Sequence, residues 1–371
     1  MRWIFWISLG FIAYTYFGYP LALYLRSRWR PRLVRLASIT PSVSIIVALR
    51  NEAASLPQKL QNLFALEYPA GSLEVVAVSD GSTDETNRIL QDCADLRLKA
   101  LVLDRHQGKA AALNRGMQLA EGEIAVFTDA RQLVEPQALR FLVANFADPA
   151  VGCVSGELML GEIGGLQSGQ GIGLYWRLEK IIRSWESQSG SVVGVTGALY
   201  AARKAHLAPL PEGTLLDDVY QPMQIARQGA RVIFEPRARA WDSLASSHQE
   251  FRRKVRTLTG NYQLLQLAPW LLSRENPLWF KFISHKLCRL VVPFALLALL
   301  GSSLALPTPF YRLAAAAQIL FYGLAALQLG KPRGGVLKRI SEAAHAFLLL
   351  NAAAAVAFFY FVTGKRQVWV R

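Results

Sequence analysis

The sequence predicts an α/β domain with a mostly parallel sheet, tethered by membrane-spanning helices at both ends. Three observations predict it. Apolar, β-branched runs alternate with helical segments between residues 41 and 128. Polar residues cluster at the carboxyl ends of those runs. Four long stretches, at residues 3–25, 290–311, 313–330 and 343–364, contain no Asp, Glu, Lys or Arg.

The membrane elements follow from length. The 371 residues are 52% hydrophobic and only 18% charged, apolar for a water-soluble chain. Each uncharged stretch can cross a hydrocarbon core of about 30 Å, which takes about 20 helical residues. Residues 1–25 read as an anchor rather than a cleaved signal: the apolar run is too long, its ends are aromatic, and no small-residue cleavage site precedes the Arg cluster. Residues 26–40 form a basic linker, 251–285 an amphipathic segment at the membrane interface, 286–364 about three further spans, and 365–371 a basic tail. Four crossings would leave that tail on the far side, so a re-entrant C-terminal segment stands as an alternative.

Charge sets the expected orientation. There are 41 basic and 26 acidic residues, a formal net charge of +15. Arg26, Arg28, Arg30, Arg32 and Arg35 follow the first span, and Lys331, Arg333, Lys338 and Arg339 separate the last two. The positive-inside bias places both clusters, and the domain between the spans, in the cytoplasm. The expected location is therefore a bacterial inner membrane, with membrane lipids as partners. The basic runs hug the spans and no nucleic-acid module is present, so nucleic acid is not an expected partner. Cys93, Cys153 and Cys288 lack metal-site spacing and read as reduced packing residues.

Within residues 41–250, strands are predicted at 43–49, 73–78, 98–103 and 123–128. Helices follow at 54–66, 85–93 and 109–120, with later helices near 174–185 and 219–228. In such a sheet ligands bind outside the carboxyl ends of the strands. Chemistry is therefore expected at residues 49–52, 80–84, 104–109 and 129–131.

The residues there suit a phosphorylated ligand, each with a plainer alternative. Asp80 could accept hydrogen bonds from a base or ribose, while the turn 80–84 equally suits a helix cap. Lys109 begins a helix, where ammonium and helix N-terminus together favour a diphosphate; a solvated surface Lys is the alternative. Asp129, at a strand end, suits Mg²⁺ or Mn²⁺ shared with phosphate oxygens. Asp217 and Asp218 precede a helix, where an acidic group near the pocket could act as general base; a helix cap is the plainer alternative. Arg252, Arg253, Lys254 and Arg256 could neutralise a leaving diphosphate or face lipid.

The ordered segments VSIIVALRNE, VSDGSTDET, GKAAALNRG, FTDAR, TGALYAARK, LLDDVYQ and RRKVRTLTGNYQ resemble family 2 glycosyltransferases of the GT-A fold. The resemblance is to the membrane-integrated branch that includes cellulose, hyaluronan and poly-N-acetylglucosamine synthases and ceramide glucosyltransferase, and it spans residues 41–262. It implies a UDP-sugar donor and a lipid or polysaccharide acceptor. By the same resemblance Ala48, Asn51, Glu52 and Asp80 line the nucleotide pocket, with Lys109 by the uracil or diphosphate. Asp129 takes the first position of the Asp-x-Asp metal motif, Thr196, Gly197 and Ala198 form the acceptor-side turn, Asp218 is the catalytic base, and Arg256 matches the Arg of Gln-x-x-Arg-Trp.

Two departures qualify this. Arg131 replaces the second Asp of Asp-x-Asp, so either Asp129 holds the cation alone or Arg131 supplies positive charge at the diphosphate. The Gln and Trp of Gln-x-x-Arg-Trp are missing, which favours single transfer over processive synthesis. A processive synthase and a non-catalytic nucleotide-sugar-binding scaffold remain alternatives. No G-x-G-x-x-G follows the first strand, which sets aside a dinucleotide enzyme; the almost purely apolar spans set aside a transporter.

Overall fold

The computed structural model describes residues 1–161, 170–243, 247–330 and 335–364. Lys331, Arg333 and the basic tail 365–371 lie outside the described residues. Chain order begins with α1 (Arg2–Trp29), then β1 (Val43–Leu49), α2 (Leu56–Phe64), β2 (Leu73–Asp80), α3 (Thr86–Gln91), β3 (Leu98–Leu103), α4 (Lys109–Leu119) and β4 (Ile124–Phe127). It continues with β5 (Leu133–Val134), α5 (Ala138–Ala144), β6 (Val151–Leu160), α6 (Gln170–Gln188), β7 (Tyr200–Arg203), α7 (Asp217–Arg227) and β8 (Arg231–Asp242). The C-terminal part holds α8 (Ser247–Leu267), α9 (Trp279–Ala305), α10 (Pro309–Leu327) and α11 (Gly335–Val362).

One eight-stranded sheet runs β3-β2-β1-β4-β7-β6-β8-β5. Its β3-β2-β1-β4 half is parallel throughout, as expected from the alternating elements. The other half is mixed: β7 is antiparallel to β4 and β6, and β8 is parallel to β6. Side-chain alternation explains why β1 and β2 are unbroken apolar runs. Val43, Ile45, Val47 and Leu49 enter one core with Val75, Ala77 and the α2 residues Leu56, Leu60 and Leu63. Ile46, Val76 and Val78 enter a second core with Ala112 and Leu113 of α4. A sheet covered on both faces has no solvent side on which to place polar residues.

Four helices, α1, α9, α10 and α11, are long and apolar enough to cross a membrane. Most of their surface is exposed, with Trp3, Phe17, Leu297, Leu313 and Phe359 facing outward. They pack through aromatic contacts: Phe5 against Tyr311, Tyr16 against Phe347, Phe294 against Phe358.

One boundary differs from the sequence expectation. The expected limit between residues 285 and 286 falls inside α9, which is continuous from Trp279. Apolarity stops near Leu290 because His285 and Arg289 are polar, yet both are partnered in the interior. His285 lies between two α6 carboxylates, 2.8 Å from Glu186 Oε1 and 2.8 Å from Glu179 Oε1, and Arg289 reaches Glu179 Oε2 at 2.8 Å. Tyr19 of α1 also donates to Glu186. This buried cluster ties the sheet domain to two spans. In segment 251–285, expected on the membrane surface, residues 251–267 belong to α8, whose Tyr262 stacks on Phe361 of α11 at 5.2 Å between ring centroids.

Candidate active site

The carboxyl ends of β1, β2 and β4 share one edge of the sheet, and the loops that leave them are fastened together. Asn51 adopts a left-handed φ of 53°, which Asn tolerates better than most side chains. Its Oδ1 accepts from Thr83 N at 2.8 Å, while Glu52 N donates to Thr86 Oγ1 and Ala53 N to Asp84 Oδ2. Asp84 thus ties two loops together; desolvation would raise its carboxyl, but the Thr86 hydroxyl and the backbone donors together outweigh it and hold the carboxyl below its ordinary value.

Asp80, buried at the end of β2, holds the next loop. Its carboxylate accepts from His106 Nδ1 at 2.6 Å, Gln107 N at 2.7 Å and Gly108 N at 2.9 Å. Arg50 Nη1 lies 2.7 Å from His106 Nε2. A guanidinium only donates, so Nε2 accepts and Nδ1 carries the proton given to Asp80. Gly81 is required here: a Cβ would lie 2.4 Å from His106 N. Asp80 therefore positions the loop that carries Lys109, and Ala48 lies half-buried near the end of β1.

Lys109 begins α4 and reaches across the edge. Its Nζ is 3.0 Å from Asp129 Oδ1 and 3.2 Å from Asp217 Oδ1. Burial would lower its pKa, but the two carboxylates outweigh burial and raise it. Asp129 is half-exposed, whereas Asp217 is buried.

Asp218 follows Asp217 in the first turn of α7. A Cβ on Gly197 would stand 3.6 Å from Asp218 Oδ2, so the 196–198 turn directly faces this carboxylate. Thr196 and Ala198 are buried, and Thr196 N donates to Ser155 Oγ at 3.1 Å. Burial pushes the Asp218 carboxyl up to about 6, the Asp217 charge adds to the rise, and Lys109 and Lys286 oppose it.

Arg131 and Arg256 are brought to the site less directly. Both are exposed, and neither forms an ion pair among the described residues. The basic residue of α8 that connects to the Asp129 loop is Arg253. It lies 3.5 Å from Asp242 Oδ2, which also accepts from Gln132 Nε2 at 2.9 Å. Gly260 sets the register of α8, since a Cβ there would lie 2.6 Å from Leu216 Cγ.

Sequence reasoning missed Lys59. It is buried on α2, and its Nζ donates to Thr128 Oγ1 at 2.9 Å and Gln132 O at 2.6 Å, bracing both ends of the loop around Asp129. Burial lowers its pKa to about 7, against an opposing pull from Asp129. A lone Lys on an amphipathic helix gives no sign of this, because its partners are distant in sequence.

A divalent cation that shares phosphate oxygens needs only one or two protein carboxylates. Asp129 offers one at the pocket rim, and Arg131 adds none. No group of three His, Cys, Asp or Glu residues able to hold a metal occurs among the described residues. The residues fit a cation held jointly with a phosphorylated ligand, not a protein-only cage.

Residues 44–206 match the family model described as Glycosyl transferase family 2. The chain carries a family 2 glycosyltransferase domain. It is 25% identical over 275 residues to poly-beta-1,6-N-acetyl-D-glucosamine synthase of Staphylococcus aureus, covering 71% of this chain and 63% of that relative. A 118-residue stretch is 41% identical to beta-monoglucosyldiacylglycerol synthase of Nostoc sp., over 31% of this chain and 25% of that protein. Among solved structures, the mannosyltransferase PcManGT from Pyrobaculum calidifontis, in complex with GDP-Man and Mn²⁺, matches with a TM-score of 0.72 and 27% identity. That match covers 98% of this chain and 99% of the mannosyltransferase. The sheet and its flanking helices therefore form a GT-A glycosyltransferase fold.

Proposed function

We propose that this glycosyltransferase transfers a sugar, with inversion, from a nucleoside-diphosphate sugar to a hydroxyl of a lipid or polysaccharide acceptor at the membrane surface. The observation that carries the proposal is the placement of Asp218. Its carboxylate faces the 196–198 turn, and Lys109 pairs with the adjacent Asp217. This supports a base next in sequence to a carboxylate that Lys109 holds together with Asp129.

In this reading an acceptor hydroxyl gives its proton to Asp218. Its oxygen bonds to the anomeric carbon while the bond from that carbon to the diphosphate oxygen breaks. The nucleoside diphosphate leaves with the bonding pair, and Lys109 donates hydrogen bonds to its oxygens. Asp129 would hold a Mg²⁺ or Mn²⁺ ion, which supplies positive charge to the departing phosphate. Loops 50–53 and 80–84 hold the nucleoside, and Arg131 adds positive charge at the rim.

An acceptor at the membrane is supported by the approach of α9 to the start of α7: a Cβ on Gly194 would stand 3.5 Å from the Asp218 backbone oxygen and 3.7 Å from Lys286 Nζ. The basic residues at and beyond the end of α1 support a catalytic domain on the cytoplasmic side of a bacterial inner membrane. The sequence favours a UDP-sugar donor, while the mannosyltransferase that matches along the whole chain holds GDP-Man.

Membranes containing the protein, incubated with labelled UDP-glucose, UDP-N-acetylglucosamine and GDP-mannose, test this reading. Label from one donor should enter the lipid or polymer fraction and vanish with Asp218→Asn. Absence of transfer from every donor, with nucleotide still bound, would favour a binding scaffold instead.

A further inference from the structure

A cavity of about 790 Å³ lies between the end of α1, the loop after α6, the end of α7 and the start of α9. It is separate from the active site. Ala226 and Gly229, at the end of α7, line it, whereas Asp217 and Asp218 begin that helix, about 13 Å away along its axis at 1.5 Å per residue.

Its charge is one-sided. Arg26, Arg30, Arg32, Arg231 and Lys281 line it and no Asp or Glu does. Two of these cations brace the wall. Lys281 Nζ donates to Glu186 O, Ser189 Oγ and Ser191 O at 2.8 to 2.9 Å. Arg231 donates to Gly190 O, Leu33 O and Arg32 O at 2.9 to 3.1 Å. Carbonyls and the Ser189 hydroxyl satisfy their hydrogens, and Glu186 near Lys281 and Asp148 near Arg231 offset part of their charge from outside the cavity lining. Arg26, Arg30 and Arg32 are exposed and form no ion pair with a carboxylate among the described residues. The remaining wall is apolar, with Leu23, Leu25 and Phe280 from the two spanning helices and the exposed Trp29 at the rim.

A small anion would use the arginines and leave the apolar wall wet. A ligand with a phosphate at one end and hydrocarbon at the other satisfies both, and the cavity sits where a spanning helix emerges into the headgroup layer. We propose that this cavity binds an anionic phospholipid from the leaflet on the catalytic-domain side, its phosphate on Arg26, Arg30 and Arg32 and its acyl chains along Leu23, Leu25 and Phe280. Such a lipid would fasten α1 to the loop that α9 also holds through Lys281.

The test is native mass spectrometry of the full chain in neutral detergent, titrated with dioleoyl phosphatidylglycerol or dioleoyl phosphatidylcholine. Phosphatidylglycerol should bind about tenfold more tightly, and R26Q/R30Q/R32Q should abolish that preference. Arg28→Gln, on the same helix but outside the cavity, should leave it unchanged. Excess inorganic phosphate should not displace the lipid. Equal retention of the two lipids would overturn the proposal, as would an equal loss on Arg28→Gln, which indicates general surface charge. Displacement by phosphate would also overturn it, by showing a small-anion site. If the triple variant does not fold, Arg30→Gln alone should weaken phosphatidylglycerol about threefold, and an unchanged affinity would count against the site. Lipid retention is read without turnover, so the outcome is independent of the glycosyltransferase reaction.

Discussion

Lys109 Nζ lies 3.2 Å from Asp217 Oδ1, joining the first turn of α4 to the first turn of α7. The same ammonium holds Asp129 at 3.0 Å, so one cation organises the two acidic groups nearest the expected diphosphate. Lys109→Met leaves Asp129 and Asp217 without their common counter-charge where a polyanion must bind. The expected result is a fall in kcat/KM of about 100-fold or more, the size seen when one preorganised electrostatic donor is removed. Lys109→Arg should recover part of it. Steady-state kinetics with the donor varied checks both, and near-normal kcat/KM in Lys109→Met would remove the residue from the site.

With Asp218 as the proposed base, the reaction should depend on pH. Burial and the Asp217 charge raise its pKa to about 6, so the carboxylate able to take a proton predominates above that pH. Turnover should rise about tenfold per pH unit below 6 and level off above it. Asp218→Asn should lose this limb together with about 100-fold or more of kcat, while donor still binds. Stability should run the other way. A carboxyl whose folded pKa is raised favours the protonated fold, so its stabilising contribution is present at low pH and lost as pH rises through 6. Asp218→Asn should therefore melt higher than the native chain at pH 7.5 and show little difference at pH 4. A flat activity profile between pH 5 and 7 would exclude Asp218 as the base.

Lys59 acts on the reaction through the loop it braces. Lys59→Met keeps the volume but leaves Thr128 and Gln132 without their buried donor. The loop that presents Asp129 then loosens, so KM for the donor should rise about tenfold with a smaller change in kcat. Lys59→Arg, longer and planar, should not restore it. Stability provides an independent check. Burial lowers the Lys59 pKa to about 7, so the unfolded chain binds the extra proton between pH 7 and 10, and this residue's contribution to stability rises across that window. The difference in melting temperature between native and Lys59→Met chains should change across the same window, and a constant difference would contradict the assigned burial.

The parallel half of the sheet was legible because β1 and β2 are buried on both faces and read as unbroken apolar runs with helices between. The mixed half was not. β6 carries Gly152, Ser155, Gly156 and Glu157 within ten residues, and β7 is only four residues long, so neither shows a period. Asp80 and Asp129 were legible because strand-end position marks them, whereas Asp218, in the first turn of α7, was singled out by the family resemblance. Contacts that depend on tertiary approach were not legible. Lys59 meets Thr128 and Gln132 across 69 and 73 residues. The choice of Arg253 over Arg256 as the residue tied to the Asp129 loop depends on how closely Gly260 seats α8 against Leu216, a contact with no local sequence signature.

In the proposed reading, Arg131 should weaken the dependence of the site on metal. It occupies the position where a second carboxylate would stand, is exposed, and brings positive charge to the rim beside Asp129. A cation held by Asp129 and phosphate oxygens alone has lost one protein ligand, while the guanidinium supplies some of the missing charge without coordination chemistry. The native chain should therefore retain measurable transfer in excess chelator. Arg131→Asp should bind Mn²⁺ about tenfold more tightly and lose all transfer when the metal is removed, because the added carboxylate strengthens coordination and the compensating charge is gone. Isothermal titration with Mn²⁺ and nucleoside diphosphate, followed by transfer assays with and without chelator, separates the two effects. Complete loss of native activity in chelator, with Mn²⁺ affinity unchanged by Arg131→Asp, would show that Asp129 alone sets the metal requirement and that Arg131 has no part in it.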